Sequence, residues 1–230
     1  MLFRSNQLGY GITGTNLAKG LSKITDLSLW IIGQPQISNK DDLDTIRKLV
    51  LNGQKFDVNA PCVRLWHQND MAQFVGRNLR IGFPIFELDE FNEVEKHHLS
   101  SLDKIFVCSQ WAKDVILSQI TIEEKNVCVV PLGVDMSIFN MNNDTSKEGT
   151  ETNKNTIFFN CGKWEIRKGH DIIYDIFSQA FDEEDNVELW MMTDNPFLSP
   201  EENNNWKNIY KNSKLGSKIK FIDRVQSQHE

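Results

Sequence analysis

Residues 102–134 read "LDKIFVCSQWAKDVILSQITIEEKNVCVVPLGV", and their pattern decides the fold. "KIFVC" (104–108) is a short apolar run of strand length. Ser109 follows where a helix needs a side-chain oxygen to accept its first free N–H groups, and "QWAKDVILSQ" continues as that helix. "NVCVVPLGV" (126–134) is the next strand, and it breaks at Pro131. A strand, a helix and a second strand at this spacing make a βαβ unit in a parallel sheet.

The same alternation extends in both directions. "LSLWIIG" (27–33), "CVRLWH" (62–67) and "LRIGFPIFE" (79–87) read as strands. Pro84 gives the third an irregular or edge position, because proline has no N–H for a ladder. "DDLDTIRKLVLNG" (41–53) is a helix with an acidic first turn and a glycine stop, and "EFNEVEKHHLSSL" (90–102) is another. "NMNNDTSKEGTETNKN" (140–155) is polar without apolar period and reads as a linker. Beyond it come strands at "TIFFNCG" (156–162), "VELWMMT" (187–193) and "SKIKFIDRV" (217–225), with helices at "GHDIIYDIFSQAF" (169–181) and "EENNNWKNIYKNS" (201–213). The expectation is an α/β protein. A complete Rossmann-like domain spans 1–139, a linker spans 140–155, and the first part of a second Rossmann-like domain spans 156–230. That second part is about half of the ~150 residues such a domain takes. The trailing "QSQHE" completes no element.

The composition is that of a soluble globular chain, 40% hydrophobic and 25% charged, with a net charge of −7. That charge argues against a nucleic-acid partner, which needs a clustered basic face. The longest apolar runs are strand-length, well short of the ~18–20 residues of a membrane span. "MLFRSNQLGY" lacks the basic start and long apolar run of a signal peptide. A cytoplasmic protein without a transmembrane segment is expected, with peripheral membrane contact left open. Cys62, Cys108, Cys128 and Cys161 each sit in or beside an apolar run and lack zinc spacing, so they read as buried free thiols in a reducing compartment.

"NQLGYGITGTNLAKGLS" (6–22) carries Gly9, Gly11 and Gly14 in the spacing G-x-G-x-x-G. A dinucleotide site needs a strand before this turn, a helix after it and a carboxylate about 20 residues on. The helix is there, but "MLFRS" is a poor strand and Gly33 stands where the carboxylate belongs. A nicotinamide or flavin oxidoreductase is therefore disfavoured. Either the glycines let the backbone approach a ligand at a helix N-terminus, or they form a tight strand-to-helix turn. "DLD" (42–44) opens a helix and complements its dipole rather than holding a metal. His97 and His98 are adjacent on a helix and diverge, and "DEED" (182–185) reads as a solvated turn.

Two stretches carry a family resemblance: "LDKIFVCSQWAKDVIL…NVCVVPLGVDMSIFN" (102–140) and "NCGKWEIRKGHDIIYDIF" (160–177). They resemble the retaining glycosyltransferases of the GT-B fold, the large family 4 or group 1 type. In that family a "P-x-G-V-D-x-x-x-F" segment leads out of the N-terminal domain, matched here by Pro131, Gly133, Val134, Asp135 and Phe139. A "G-[RK]-x-x-x-x-K-G" segment opens the C-terminal domain, matched by Gly162, Lys163, Lys168 and Gly169. Order and spacing both agree, with the linker between.

The resemblance implies a GT-B-like architecture and transfer of a sugar from a nucleotide-sugar donor to a glycan or other hydroxyl acceptor, with retention. It implies that Gly162, Lys163, Arg167 and Lys168 bind the donor diphosphate. Fixed cations aimed at the charge that develops on the leaving diphosphate lower the barrier. Arg167 and Lys168 are expected just before a helix N-terminus, whose amides would add to the field. The family usually has arginine at position 163, and lysine there keeps the charge without the bidentate fork.

His67, just past the strand in "RLWHQNDM" (64–71), corresponds to a loop histidine that contacts the transferred sugar; it is the catalytic candidate, and a histidine satisfied inside the fold is as good a reading. Gly9, Gly11, Gly14 and Glu87 fall on the acceptor side of the cleft. Glu87 would bind acceptor hydroxyls or mark a helix start. Trp164 would border the donor site. No cofactor and no obligatory metal are implied, since cations and amides stand in for one. The family's "Glu-x7-Glu" motif is absent, so the chain reads as truncated in its C-terminal domain or as a degenerate relative. The sheet edge of a partial domain predicts self-association. The alternative is a non-catalytic Rossmann-like module that binds a glycan or nucleotide.

Overall fold

The computed structural model describes residues 1–3, 9–37, 39–136, 139, 155–223 and 225. The expected linker, apart from Asn155, and the trailing 226–230 lie outside them. The chain divides into two compact units, Met1–Asp135 and Met136–Glu230.

The first unit contains β1 (Leu2–Phe3), α1 (Gly9–Leu21), β2 (Trp30–Ile31), α2 (Lys40–Asn52), β3 (Cys62–Trp66), β4 (Arg80–Pro84), α3 (Glu93–Ser100), β5 (Lys104–Val107), α4 (Gln110–Gln119) and β6 (Val127–Val129). Its strands lie in the order β2-β1-β3-β4-β5-β6, and every neighbouring pair is parallel. The order reverses between β1 and β3. In a doubly wound sheet this switch point opens a crevice outside the C-terminal strand ends.

Helix starts follow the local chemistry. The Ser109 side chain accepts from Ala112 N at 3.2 Å, as expected of a cap. Asn92 and Glu95 form a reciprocal capping box on α3, which satisfies two otherwise free N–H groups. Asp41 and Asp42 occupy the first turn of α2, above its Asn39 cap. Ala18 of α1 and Ile46 and Leu49 of α2 pack with Phe3, Leu65 and Phe83 of the sheet. Leu99, Ile105, Val107, Val115 and Ile116 form a second cluster. Each of the leucine, isoleucine, valine and phenylalanine side chains among these contributes about 1.5–3 kcal/mol when fully buried.

The second unit contains β7 (Thr156–Gly162), a 3-10 turn (Ile166–Lys168), α5 (Ile173–Ala180), β8 (Val187–Thr193), α6 (Pro200–Lys211) and β9 (Ile219–Phe221). Its parallel sheet has the order β7-β8-β9. Phe177 of α5 and Tyr210 of α6 bury Leu189, Met191 and Trp164. The register sets Ile157 beside Glu188 and Phe159 beside Trp190. Period-two alternation puts these on the face away from Leu189 and Met191. Ile157 is 47% and Phe159 56% exposed, although parallel sheets are ordinarily covered on both faces.

Several sequence expectations need correction. The strand expected at 27–33 is only Trp30–Ile31, because β1 offers it just two partner residues, Leu2 and Phe3. Pro84 is neither at an edge nor irregular: it closes β4, an interior strand. It pairs with Trp66, while the ladder to β5 runs only over Ile81 and Gly82, so no N–H is required of it there. Of the four free cysteines only Cys62 is buried; Cys161 is exposed.

Candidate functional site

The basic loop "GKWEIRKG" (162–169) follows β7, at the C-terminal end of its sheet. Gly162 has φ 153°, which favours glycine, and a Cβ there would sit 3.0 Å from Lys168 Nζ. Glycine thus lets the Lys168 amine lie over the end of the strand. Gly169 closes the 3-10 turn at φ 73°. Within this loop three cations meet one carboxylate. Lys163 Nζ lies 2.8 Å from Glu165 Oε1. Arg167 and Lys168 lie 3.0 and 3.5 Å from Glu165 Oε2. The hydrogen bond and charge of Lys163, with the charges of Lys168 and Arg167, hold the Glu165 carboxyl down at about 2.

The loop backbone is held by groups outside this charge cluster. Glu165 N–H donates to His170 Nδ1 at 3.0 Å. The imidazole proton is then on Nε2, which lies 3.0 Å from Asn160 Oδ1 and donates to it. His170 is fully buried, and burial and the Lys168 charge lower its pKa. Asn195, after β8, donates from its side chain to Trp164 O at 3.0 Å, and Asn203 of α6 fixes Asn195 in turn. Phe197, in the same loop after β8, is 71% exposed, and Lys163 Nζ lies 5.2 Å from its ring centre. The loops after β7 and β8 are therefore tied together at one end of the sheet. Thr193, level with Gly162 in the register, has a buried hydroxyl with no partner among the described residues.

Two expectations for this loop change. Lys168 is not adjacent to a helix N-terminus, because Gly169–Ile172 intervene before α5 and the first amides there donate to Gly169 O. Side-chain cations, not helix amides, supply its field. Trp164 belongs to the core: it is 2% exposed, stacks on Trp206 at 5.5 Å and meets the His170 ring edge-on.

In the first unit, Gly9, Gly11 and Gly14 lie inside α1 rather than in a loop before it. Gly14 packs the helix on the strand, since a Cβ there would overlap the Phe3 ring. Tyr10, between the first two glycines, was not legible as a site residue. Its hydroxyl donates to Ile85 O at 2.5 Å and accepts from Ile85 N at 3.2 Å. Burial is the main cause pushing its pKa up to about 12, and the nearby Glu87 charge adds to it. The His67 ring packs 4.6 Å from Tyr10 and 4.9 Å from Trp66. Tyr10 and His67 thus meet where α1 and the loop after β3 flank the switch point, with exposed Glu87 nearby. That loop is pinned by Arg64. This arginine is fully buried within β3, donates from Nε to Asp70 O at 2.7 Å and pairs with the Asp70 carboxylate at 2.8 Å.

Pro131, Gly133, Val134 and Asp135 form an exposed irregular segment after β6. A cavity of about 690 Å³ opens in the first unit at the N-terminal ends of β1, β2 and β3, beside Trp30, Phe56 and Cys62, at the opposite end of that sheet from the loop after β3. Among the described residues no group of three His, Cys, Asp or Glu side chains could hold a metal, and no helix is long and apolar enough to cross a membrane.

No protein-family model and no curated protein matches the chain. Among solved structures it is similar to a glycosyltransferase from Rickettsia africae ESF-5, with 14% identity and a TM-score of 0.50 over 96% of this chain and 53% of that one. It is also similar to Anabaena Alr3699/HepE, solved in complex with UDP-glucose, with 13% identity and a TM-score of 0.64 over 99% of this chain and 68% of that one. The fold is one that both of these solved structures share. At this identity the likeness establishes the fold: mixed α/β with parallel, Rossmann-like sheets. The chain spans about half the length of the Rickettsia protein.

Proposed function

We propose that this chain is the nucleotide-sugar-handling part of a GT-B glycosyltransferase, of the retaining family 4 type. Lys163, Arg167 and Lys168 clamp the donor diphosphate at the end of β7. The observation that carries this is their convergence on a single carboxylate, because three cations arranged around one anion form a site for a multiply charged one. Phe197 offers an aromatic face beside the clamp for the base, and the Thr193 hydroxyl offers a buried donor level with Gly162. The UDP-glucose in the Anabaena structure makes a uridine diphosphate sugar the first donor to try.

In the first unit His67 and Glu87 would handle the sugar and the acceptor hydroxyl, with Tyr10 holding the His67 ring. A neutral imidazole can accept a hydrogen bond from a sugar hydroxyl, and a carboxylate can accept one from the acceptor. Retention follows the family resemblance, and no step here calls on a metal.

The test is calorimetric titration of UDP and UDP-glucose, followed by hydrolysis or transfer assays with simple glycosides. The proposal expects UDP binding that Lys168→Ala reduces at least tenfold. UDP binding that Lys168→Ala leaves unchanged overturns the clamp. Tight binding without any turnover would instead assign a non-catalytic binding module.

A further inference from the structure

We propose that Glu165 is a tethered counter-ion: it occupies the anion position of the basic loop and must be displaced by the incoming diphosphate. This rests on the reading of that loop as a diphosphate clamp.

Both Glu165 oxygens are engaged, Oε1 by Lys163 and Oε2 by Arg167 and Lys168, at 2.8–3.5 Å. A phosphoryl group reaching the same three donors occupies the space the carboxylate now fills. The two anions cannot share it, because like charges in contact repel while competing for the same N–H groups. The Glu165 side chain therefore swings out and gives up all three ion pairs, and that loss opposes ligand binding.

A carboxylate among three cations can also help, by holding them in place before the ligand arrives. Here the loop does not depend on it for its shape. The Glu165 backbone N–H is held by His170. Trp164 O is held by Asn195. The 3-10 turn closes through Lys168 N–H to Glu165 O and Gly169 N–H to Ile166 O. These bonds survive removal of the carboxylate, so competition outweighs pre-organisation. The site then discriminates by charge. A monovalent anion gains too little to replace a tethered carboxylate already in position, whereas a diphosphate brings more charge and more acceptor oxygens. Salt sensitivity follows as well. With Glu165 present, binding exchanges one bound anion for another. Without it, binding releases free counter-ions from the cations and becomes more salt-dependent.

The test uses the full chain and sodium pyrophosphate as the probe, titrated calorimetrically at several KCl concentrations into wild type, Glu165→Gln, Glu165→Ala and Lys168→Ala, each checked by circular dichroism and melting. The proposal expects Glu165→Gln to bind pyrophosphate about tenfold more tightly than wild type, equivalent to about 1.4 kcal/mol. It also expects a steeper dependence on KCl, with Glu165→Ala agreeing and covering a failure of the first variant to fold. Equal or weaker binding by the folded Glu165 variants, with binding still lost in Lys168→Ala, overturns the proposal and leaves the clamp standing. Wild-type binding that Lys168→Ala does not reduce, or no pyrophosphate binding by any variant, overturns the clamp and this proposal with it.

Discussion

Replacing His170 with alanine should strongly destabilise the second unit. The imidazole is fully buried, accepts from the Glu165 amide, donates to Asn160 and packs edge-on against Trp164. Removing a buried ring of this size costs about 2–4 kcal/mol in transfer and cavity terms. Two lost hydrogen bonds add about 1 kcal/mol each at the low end, because Glu165 and Asn160 retain some access to water. The expected loss is about 4–6 kcal/mol, a large share of the roughly 5–15 kcal/mol that stabilises a whole domain. Urea denaturation followed by hydrogen exchange of β8 amides reads the second unit separately from the first. A loss below about 1 kcal/mol would refute the role assigned to this side chain.

Protonation perturbs the same group without mutation. The folded pKa lies below the ordinary 6.5, through burial first and the Lys168 charge second. The unfolded chain therefore binds the proton more readily, and stability rises with pH across this window. The contribution is complete above 6.5 and is lost as pH falls through the folded value. A protonated Nδ1 would also point a proton at the Glu165 amide, so pyrophosphate binding should weaken over the same range. A pH–stability curve that His170→Ala leaves unchanged between pH 7 and 5 would contradict this.

Three further outcomes are expected. Phe197→Ala should weaken UDP binding by about 1–3 kcal/mol, the worth of one base–aromatic stack, while leaving pyrophosphate affinity within twofold; equal losses for both ligands would remove Phe197 from the base site. Arg64→Met should destabilise the first unit by roughly 2–3 kcal/mol, because charge-assisted bonds to Asp70 are lost while the stem is replaced; denaturant titration measures it, and a change under about 0.5 kcal/mol would show that the loop after β3 is held by other contacts. Phe159→Glu should reduce self-association through the exposed apolar face of β7 and β8, read by light scattering against concentration; a wild-type chain that stays monomeric at high concentration would sink that expectation.

The fold was legible where local chemistry and burial agree. Residues 104–119 read as strand, cap and helix and form that way, because the Ser109 side chain accepts from Ala112 N–H and Ile105, Val107 and Ile116 all enter one core. The strands at 156–162 and 187–193 were read to their full length, since both pair along seven residues. Boundaries failed where partners set them. The length of β2 follows from the two residues β1 offers, and the place of Pro84 follows from where the ladder to β5 stops.

The basic loop was legible as a motif, but its organisation was not. Glu165, His170, Asn195 and Phe197 lie at unremarkable sequence positions, and their roles arise from the meeting of two strand-end loops. Tyr10 was hidden for a similar reason: a spacing of glycines drew attention to the backbone, while the hydroxyl between them bonds to Ile85, just past β4 and 75 residues away. Arg64 offered a weak cue, a charged residue inside an apolar strand with Asp70 six residues on.

The most direct measurement is hydrogen-exchange mass spectrometry of the full chain with and without saturating UDP. The account predicts protection concentrated in peptides covering 162–169 and 194–198, and loss of that protection in Lys168→Ala. Protection confined to the cavity beside Trp30 and Phe56, with the basic loop unchanged, would contradict it.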